Sequence, residues 1–154
     1  MKKTPTLLKL FLWLLICQIP SFLGAHVVYA NMGWYRLLSK PPLMPPNGVF
    51  GAVWGILYIL LGVSAFLAFR EKLNGKTLAL FTGQLALNIC WTPLFFGAQN
   101  LLGALLLLLA MLGELTYLFR AFWKINRTAA YLLLPYCGWL IFALYLTTGV
   151  WWLN

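Results

Sequence analysis

The stretch SKPPLMPPNGVFGAVWGILY, residues 39–58, decides the fold of this chain. Four of its first eight residues are prolines, namely Pro41, Pro42, Pro45 and Pro46. Proline fixes φ and has no N–H to donate, so residues 39–46, called the strap below, are predicted to be extended rather than helical. A long apolar run follows at once, as expected for a membrane span. The strap is therefore expected at a membrane surface, either as a lid over the helices or as a simple connector.

The composition of the chain is that of an integral membrane protein. Of its 154 residues, 63% are hydrophobic and only 8% are charged, against about 25% charged in a typical soluble domain. Eleven Lys and Arg outnumber two acidic residues, Glu71 and Glu114, and the formal charge is +9. The basic residues lie in short gaps between apolar runs, where they orient spans and meet lipid headgroups. The bilayer is therefore the expected partner of these charges, and no nucleic acid is expected.

Five apolar runs are long enough to cross the hydrocarbon layer as helices. They cover residues 7–28, 48–69, 77–97, 100–122 and 129–150. We therefore predict an all-α membrane protein, a single integral membrane domain over residues 1–154, folded as a bundle of five transmembrane helices with the Pro-rich first loop as a lid. The first run also imitates a signal peptide, but its length favours a span.

Basic residues are distributed unequally between the two sides of these spans. Nine fall on the N-terminal side: Lys2, Lys3, Lys9, Arg70, Lys72, Lys76, Arg120, Lys124 and Arg127. Only Arg36 and Lys40 fall on the other side. Because basic loops stay on the cytoplasmic side, a cytoplasmic N-terminus is predicted. This bias in a short chain favours an integral multi-pass protein of a bacterial cytoplasmic membrane.

Aromatic and amide side chains recur at helical spacing on three of the spans. Counted inward at ~1.5 Å per residue, Trp54, Asn88 and Trp139 fall in the membrane half beneath the strap. We interpret the pattern as a pocket for a flat, largely apolar ligand, oriented by one or two amide donors. Its predicted lining is Trp34, Trp54, Tyr58, Gln84, Asn88, Trp91, Trp139 and Ala143. The alternative is that these residues only pack helix against helix.

The second run carries two further signals. Gly51 and Gly55 form a Gly-x-x-x-Gly pair, which indicates close packing within the bundle or in a homodimer. Asn47 precedes the run and is predicted to cap its helix. Elsewhere, Pro93 and Pro135 are predicted to kink their helices and so to help open a cavity.

Residue patterns typical of hydrolysis, phosphoryl transfer or metal catalysis are absent from the sequence. Cys17, Cys90 and Cys137 lie in separate apolar runs, so neither a disulfide nor a metal site is expected. His26 is the sole histidine, and no second ligand lies near it in the sequence. Glu114 is the only carboxylate within a span, which indicates either a proton or cation step of a transporter or a neutral, interhelically bonded side chain.

Three separated segments resemble the tryptophan-rich sensory protein or translocator protein family (TspO/MBR, peripheral-type benzodiazepine receptors). They are WYRLLSKPPLMPPNGVFGAVWGILYILLG (34–62), GQLALNICWTPLFFG (83–97) and LLLPYCGWLIFALYLTTGVWWLN (132–154). The resemblance covers nearly the whole chain and suggests a bacterial member. It implies a commonly dimeric membrane receptor for porphyrins and related tetrapyrroles of the haem pathway, with benzodiazepine-type drugs as further ligands.

The resemblance also implies which residues contact the ligand. The family motifs place Trp54, Asn88 and Trp139 at the ligand, with Tyr58 and Ala143 beside them. Porphyrin or haem is then a ligand, and no resident cofactor or metal is expected. Two alternatives to a receptor stay open. One is a transporter that moves porphyrin or another small solute across the bilayer, and the other is an enzyme in which Trp54 and Trp139 promote photo-oxidative degradation of bound porphyrin.

Overall fold

The computed structural model describes residues 6–70 and 73–154 and is helical over most of both ranges. The helices are α1 (Thr6–Leu37), α2 (Asn47–Phe69), α3 (Gly75–Thr92), α4 (Leu101–Ile125), α5 (Arg127–Tyr131) and α6 (Leu134–Leu153), and a π-helical turn, Pro93–Gly97, continues α3. Five segments are long and apolar enough to cross a membrane, with α5 and α6 together forming the fifth. The predicted bundle of five membrane helices is confirmed. Below, its two ends are called the strap end and the opposite end.

Helix α1 is longer than the predicted span, which stops at residue 28. Its 32 residues extend ~48 Å, whereas the hydrocarbon layer is ~30 Å thick. Hydropathy detects the membrane-crossing part alone, and no proline or other strong breaker lies between residues 21 and 40 to end the helix earlier. The helix ends just before Pro41 and Pro42, because a residue that precedes proline disfavours the α conformation. Trp34 therefore lies on a helix and not in an extended connection.

Asparagine side chains start three of the helices. Asn74 accepts hydrogen bonds from the backbone N–H groups of Lys76 and Thr77, and Asn100 and Asn126 cap α4 and α5 in the same way. These caps satisfy N–H groups that have no partner within their own helix. Asn47 does not act as a cap, because α2 begins without a side-chain cap. Its Nδ2 instead lies 3.7 Å from the sulfur of Met32.

Contact between α1 and α2 is closest near the opposite end. A Cβ built on Gly62 would lie 3.0 Å from Leu14 Cα and 3.2 Å from the carbonyl oxygen of Trp13. In contrast, a Cβ on Gly51 or Gly55 would meet no atom of the described residues within 4 Å. Within one chain, then, Gly62 and not the Gly-x-x-x-Gly pair allows the backbones of α1 and α2 to approach.

A cluster of aromatic rings fills the opposite end of the bundle. Trp13 stacks on Phe69 with ring centroids 5.2 Å apart and meets Phe81 edge-on at 5.5 Å. Phe122 contacts Phe69 at 5.5 Å from a third direction. Each such ring pair contributes ~0.5–1.5 kcal/mol beyond the area it buries. The opposite end is thus a packed core, whereas the strap end contains a cavity.

Candidate ligand-binding site

A cavity of approximately 540 Å³ lies between the helices beneath the strap. Its volume is within the range of ~300–1,000 Å³ that is usual for small-molecule sites. The aromatic residues that line it are Tyr29, Tyr35, Phe50, Trp54, Tyr58, Trp91, Phe95, Phe96 and Trp139. The lining residues with polar side chains, other than these aromatics, are Ser21, Asn47, Asn88, Thr92 and Thr147. The lining is therefore mainly aromatic and aliphatic, with a few polar groups that can orient a ligand.

Two tryptophans from different helices border this cavity. The rings of Trp54 on α2 and Trp139 on α6 lie 6.4 Å apart between centroids, with their planes at 89°. Trp54 is also stacked on Tyr58 at 5.4 Å, and Phe50 meets Trp139 edge-on at 6.0 Å. Because neighbouring rings hold both indoles, the cavity presents a rigid aromatic corner.

Asn88 is fixed in a buried hydrogen-bond network. The Tyr58 hydroxyl donates to Asn88 Oδ1 at 3.2 Å. Asn88 Nδ2 donates to the Tyr136 hydroxyl at 2.6 Å and to the carbonyl oxygen of Gln84 at 2.7 Å. An amide nitrogen carries only two hydrogens, so both donors of Asn88 are used within the protein. Asn88 can therefore offer a ligand an acceptor and not the donor that its sequence position suggested.

The network continues to Gln84, which lies one helical turn from Asn88. Gln84 Nε2 donates to the Tyr136 hydroxyl at 2.8 Å, so this one oxygen accepts from two amides. Two buried polar atoms of the described residues have no hydrogen-bond partner, Gln84 Oε1 and Trp139 Nε1. Trp139 lines the cavity with its ring, whereas its N–H is buried within the protein and lacks an acceptor there, which is an unfavourable state for a buried donor.

The strap lies over the cavity and is attached to α6. Asn154 Oδ1 accepts from the backbone N–H of Ser39 at 2.9 Å, and Asn154 Nδ2 donates to the Ser39 carbonyl oxygen at 3.0 Å. Farther along, the Tyr145 hydroxyl donates to the carbonyl oxygen of Pro42 at 3.0 Å. Three side-chain hydrogen bonds thus connect the strap to one helix.

Close packing supports the same attachment. Pro41 lies directly on Gly149 of α6, where an added Cβ would come 2.5 Å from Pro41 Cβ. On the inner side, Met44 lines the cavity, and its sulfur accepts a hydrogen bond from the Tyr35 hydroxyl at 3.5 Å. The Lys40 ammonium lies 4.7 Å from the centroid of the Tyr35 ring. Lys40 is exposed and lies outside the cavity lining, so its positive charge is at the strap end of the bundle, next to Tyr35.

Six of the eight predicted lining residues border this cavity: Trp54, Tyr58, Asn88, Trp91, Trp139 and Ala143. The other two do not. Gln84 is fully buried and is held away from the cavity by its bond to Tyr136. Trp34 lies on the last turns of α1, where it packs edge-on against Phe95 at 5.9 Å.

Sequence reasoning missed Tyr136, which holds Asn88 in place. On the fifth span the inward-facing residue is the one after Pro135, since Pro135 is exposed and Tyr136 is 1% exposed. The signal available in the sequence was that Tyr136 follows the proline that begins a helix, in the segment PYCGW. Met32 and Met44, which line the strap end of the cavity, were also missed.

Glu114 and His26 lie outside the cavity lining. Glu114 rests on Gly83 of α3, so closely that a Cβ on Gly83 would overlap the carboxyl oxygen Oε1. His26 is exposed on α1. Within the described ranges, no three residues of the types His, Cys, Asp and Glu are grouped as a metal site would need.

Comparison with known proteins gives one consistent family. The model of the TspO/MBR family matches residues 12–153. The human Translocator protein is 41% identical over 141 residues, which cover 87% of this chain and 83% of the human protein. The Tryptophan-rich protein TspO of Archaeoglobus fulgidus is 36% identical over 140 residues, with 87% and 86% covered. The Tryptophan-rich sensory protein of Cereibacter sphaeroides is 34% identical over 127 residues, with 82% and 79% covered.

Proposed function

Because the chain belongs to the TspO/MBR family, we propose that it is a membrane receptor that binds porphyrins and related tetrapyrroles in the cavity beneath the strap. The observation that carries this proposal is that Trp54 and Trp139 border one cavity with their ring planes at 89°. A planar macrocycle can stack on one indole while the second indole meets its edge, which are the two preferred geometries of aromatic pairs.

The polar groups of the cavity suit the periphery of such a ligand. The hydroxyls of Ser21 and Thr92, which line the cavity, can donate to a carbonyl or carboxylate oxygen. Lys40, exposed at the strap end beside Tyr35, offers a positive charge to the carboxylates that tetrapyrroles of the haem pathway carry. A mainly apolar cavity with a few hydroxyl donors in its lining and a cation at the same end of the bundle favours a flat amphipathic anion over a neutral hydrocarbon.

The test is a titration of the purified protein with protoporphyrin IX in darkness, followed by the absorbance of the porphyrin. We expect saturable binding by the parent protein. Trp139→Phe should weaken it roughly two- to tenfold, since an aromatic contact is worth ~0.5–1.5 kcal/mol. Trp123→Phe is the matched control, because Trp123 lies at the opposite end and packs against Phe119 and Tyr131. Equal affinity of the parent and Trp139→Phe would show that the porphyrin does not use this cavity.

A second candidate, light-dependent degradation of the bound porphyrin, is favoured by one contact. Trp54 lies beside Trp139 and is stacked on Tyr58, so an indole oxidised by a photoexcited porphyrin would have electron-rich neighbours. Illumination in air should bleach porphyrin bound to the parent faster than porphyrin bound to Trp54→Phe, Trp139→Phe. Comparison at equal bound porphyrin separates this effect from lost affinity, and equal bleaching would exclude a part for these residues.

The distribution of basic residues between the two ends of the bundle supports a proposal for how the chain is oriented in the membrane. At the opposite end the structure places Lys9, Arg70, Lys76, Arg120, Lys124 and Arg127, while Lys2, Lys3 and Lys72 lie outside the described residues. The strap end carries Arg36 and Lys40. The opposite end, and with it the N-terminus, is therefore proposed to face the cytoplasm of a bacterium. The test labels single-cysteine variants in intact cells with a membrane-impermeant maleimide. Thr128→Cys should resist labelling, whereas Leu43→Cys should react. The reverse pattern would refute the orientation.

A further inference from the structure

The side walls of the cavity are closed at two of the helix contacts that surround it. Between α1 and α3, a Cβ on Gly24 would lie only 3.1 Å from Thr92 Oγ1, and one on Gly97 would lie 3.6 Å from Val27. Between α2 and α6, the rings of Phe50 and Trp139 meet at 6.0 Å. A ligand as wide as a macrocycle cannot pass between these helices without separating them.

The contact between α1 and α2 differs in its strap-end half. Ala25 and Tyr29 of α1 and Gly51 of α2 line the cavity and are exposed, Tyr29 to 86%. A Cβ on Gly48 or Gly51 would meet no atom of the described residues within 4 Å. A cavity-lining side chain as exposed as Tyr29, opposite the open space at Gly51, indicates that the cavity is open between these two helices.

This opening has a lower limit. The Gln18 side chain of α1 donates to the carbonyl oxygen of Gly55 on α2 at 3.3 Å, and below it Gly62 packs on Leu14. At ~1.5 Å per residue, Gly51 lies ~6 Å and Gly55 ~12 Å along α2 from its start at Asn47. The opening thus faces the acyl chains of one leaflet just below the headgroups, and not the aqueous phase.

The alternative route, over the strap, is obstructed. It would require breaking the hydrogen bonds of Asn154 to Ser39 and of Tyr145 to Pro42, and lifting Pro41 from Gly149. Above Gln18, α1 and α2 are joined by the weak contact of Asn47 Nδ2 with the Met32 sulfur at 3.7 Å, which lies at the upper end of the opening, at the first residue of α2. The two routes therefore differ in structure. The strap is held over the cavity by hydrogen bonds and close packing along its length, whereas the contacts of Gln18 and Asn47 lie at the two ends of the α1–α2 opening.

We infer that the ligand enters and leaves the cavity laterally from the membrane, through a portal between α1 and α2 bordered by Ala25, Tyr29 and Gly51. This inference rests on the proposed function, since it takes a tetrapyrrole as the ligand. A dicarboxylic porphyrin dissolved in a bilayer places its apolar ring among the acyl chains and its carboxylates at the headgroups. That position is at the depth of the portal, with Lys40 above it.

The experiment measures rates of binding rather than affinity alone. The parent and its variants are placed in phospholipid nanodiscs and mixed rapidly with vesicles preloaded with protoporphyrin IX, and the quenching of tryptophan fluorescence is followed. Gly51→Leu puts a branched side chain into the portal, and leucine is a good helix former. We expect it to slow association and dissociation alike by about tenfold, equivalent to a ~1.4 kcal/mol higher barrier. Ala25→Leu narrows the portal from α1 and should act in the same direction.

Gly113→Leu is the matched control. Gly113 is exposed on α4, lies outside the cavity lining, and has open space at its Cβ position. Porphyrin should therefore associate with this variant and dissociate from it at the rates of the parent. Asn154→Ala, which loosens the strap, should also leave the association rate unchanged.

The portal would be refuted if Gly51→Leu and Ala25→Leu both bound and released porphyrin at the rates of the parent. It would also be refuted if Asn154→Ala bound porphyrin faster than the parent. Failure of the parent itself to bind porphyrin would instead refute the proposed function, so the two failures are distinguishable.

Discussion

At the scale of single residues, the hydroxyl of Tyr136 organises the polar part of the site. It accepts hydrogen bonds from Asn88 and Gln84, both buried in the bundle. Lipid cannot replace either bond, since the hydrocarbon layer offers no acceptor. The orientation of Asn88 toward the cavity therefore depends on an oxygen that does not itself line the cavity.

Tyr136→Phe tests this dependence. Removing the hydroxyl leaves two buried N–H groups without an acceptor, and each unpaired group costs ~1–3 kcal/mol. We expect a clearly lower thermal midpoint in detergent and weaker porphyrin binding. Tyr131→Phe is the control, because Tyr131 is 54% exposed and its described contact is a ring contact with Trp123. A midpoint of Tyr136→Phe that matches this control would contradict the role of the hydroxyl.

Residue spacing predicted the conspicuous residues of this site, and it failed for the others for a physical reason. Trp54, Asn88 and Trp139 were predicted because a large aromatic or an amide in an apolar span is conspicuous. Gln84 shares a helical face with Asn88, but spacing does not show where that face turns from the cavity into the core. Before α6 two turn residues interrupt the helix, and because such a break changes which face points inward, spacing along the span did not identify Tyr136.

At the scale of elements, the strap and α6 behave as one unit. The strap could have rested on any helix of the bundle, yet its hydrogen bonds to Asn154 and Tyr145 and its packing on Gly149 all involve α6 or the residue that follows it. Composition predicted an extended lid, because four prolines exclude a helix. It could not predict the helix to which the lid is attached, because that partner lies about 100 residues away in the chain.

Asn154→Ala should loosen the strap without unfolding the bundle. The variant removes the acceptor of the Ser39 N–H and the donor to the Ser39 carbonyl, each worth ~0.5–1.5 kcal/mol. Exchange of the Ser39 amide hydrogen should accelerate roughly two- to tenfold. Thr148→Ala serves as the reference, since the Thr148 hydroxyl bonds only to the carbonyl of Leu144 on its own helix. An unchanged exchange rate at Ser39 would show that the strap is held by packing alone.

At the scale of the whole molecule, the bundle divides into a packed end and an open end. The rings of Trp13, Phe69, Phe81 and Phe122 fill the opposite end, and the cavity of approximately 540 Å³ occupies the strap end. The five spans and their alternating direction could be predicted from hydropathy and loop charge. The division into a packed end and an open end could not be predicted in this way, since it depends on the rotation of each helix about its axis.

This division predicts an asymmetric response to ligand. Saturation with porphyrin at 100 times its dissociation constant should stabilise the fold by ~2.7 kcal/mol. Slower amide exchange should be confined to helix segments around the cavity, such as residues 24–35 and 50–58, because the opposite end is already packed. Hydrogen exchange with mass spectrometry checks this, and equal protection at both ends would contradict the division.

The contact between Glu114 and Gly83 has a consequence for how this sequence can vary. The carboxyl group occupies the volume that a side chain at position 83 would need, so a substitution there requires the end of the flexible Glu114 side chain to turn aside. Glu114 has no hydrogen bond or ion pair among the described residues, and a bulkier neighbour would push it into lipid. Gly83→Ala should therefore cost little, because the Glu114 carboxyl group can turn aside, whereas Gly83→Leu should cost more in the parent than in Glu114→Ala, with an interaction energy of ~0.5–3 kcal/mol in a double-mutant cycle of thermal stability. Relatives that carry a large residue at the first position are expected to carry a shorter one at the second.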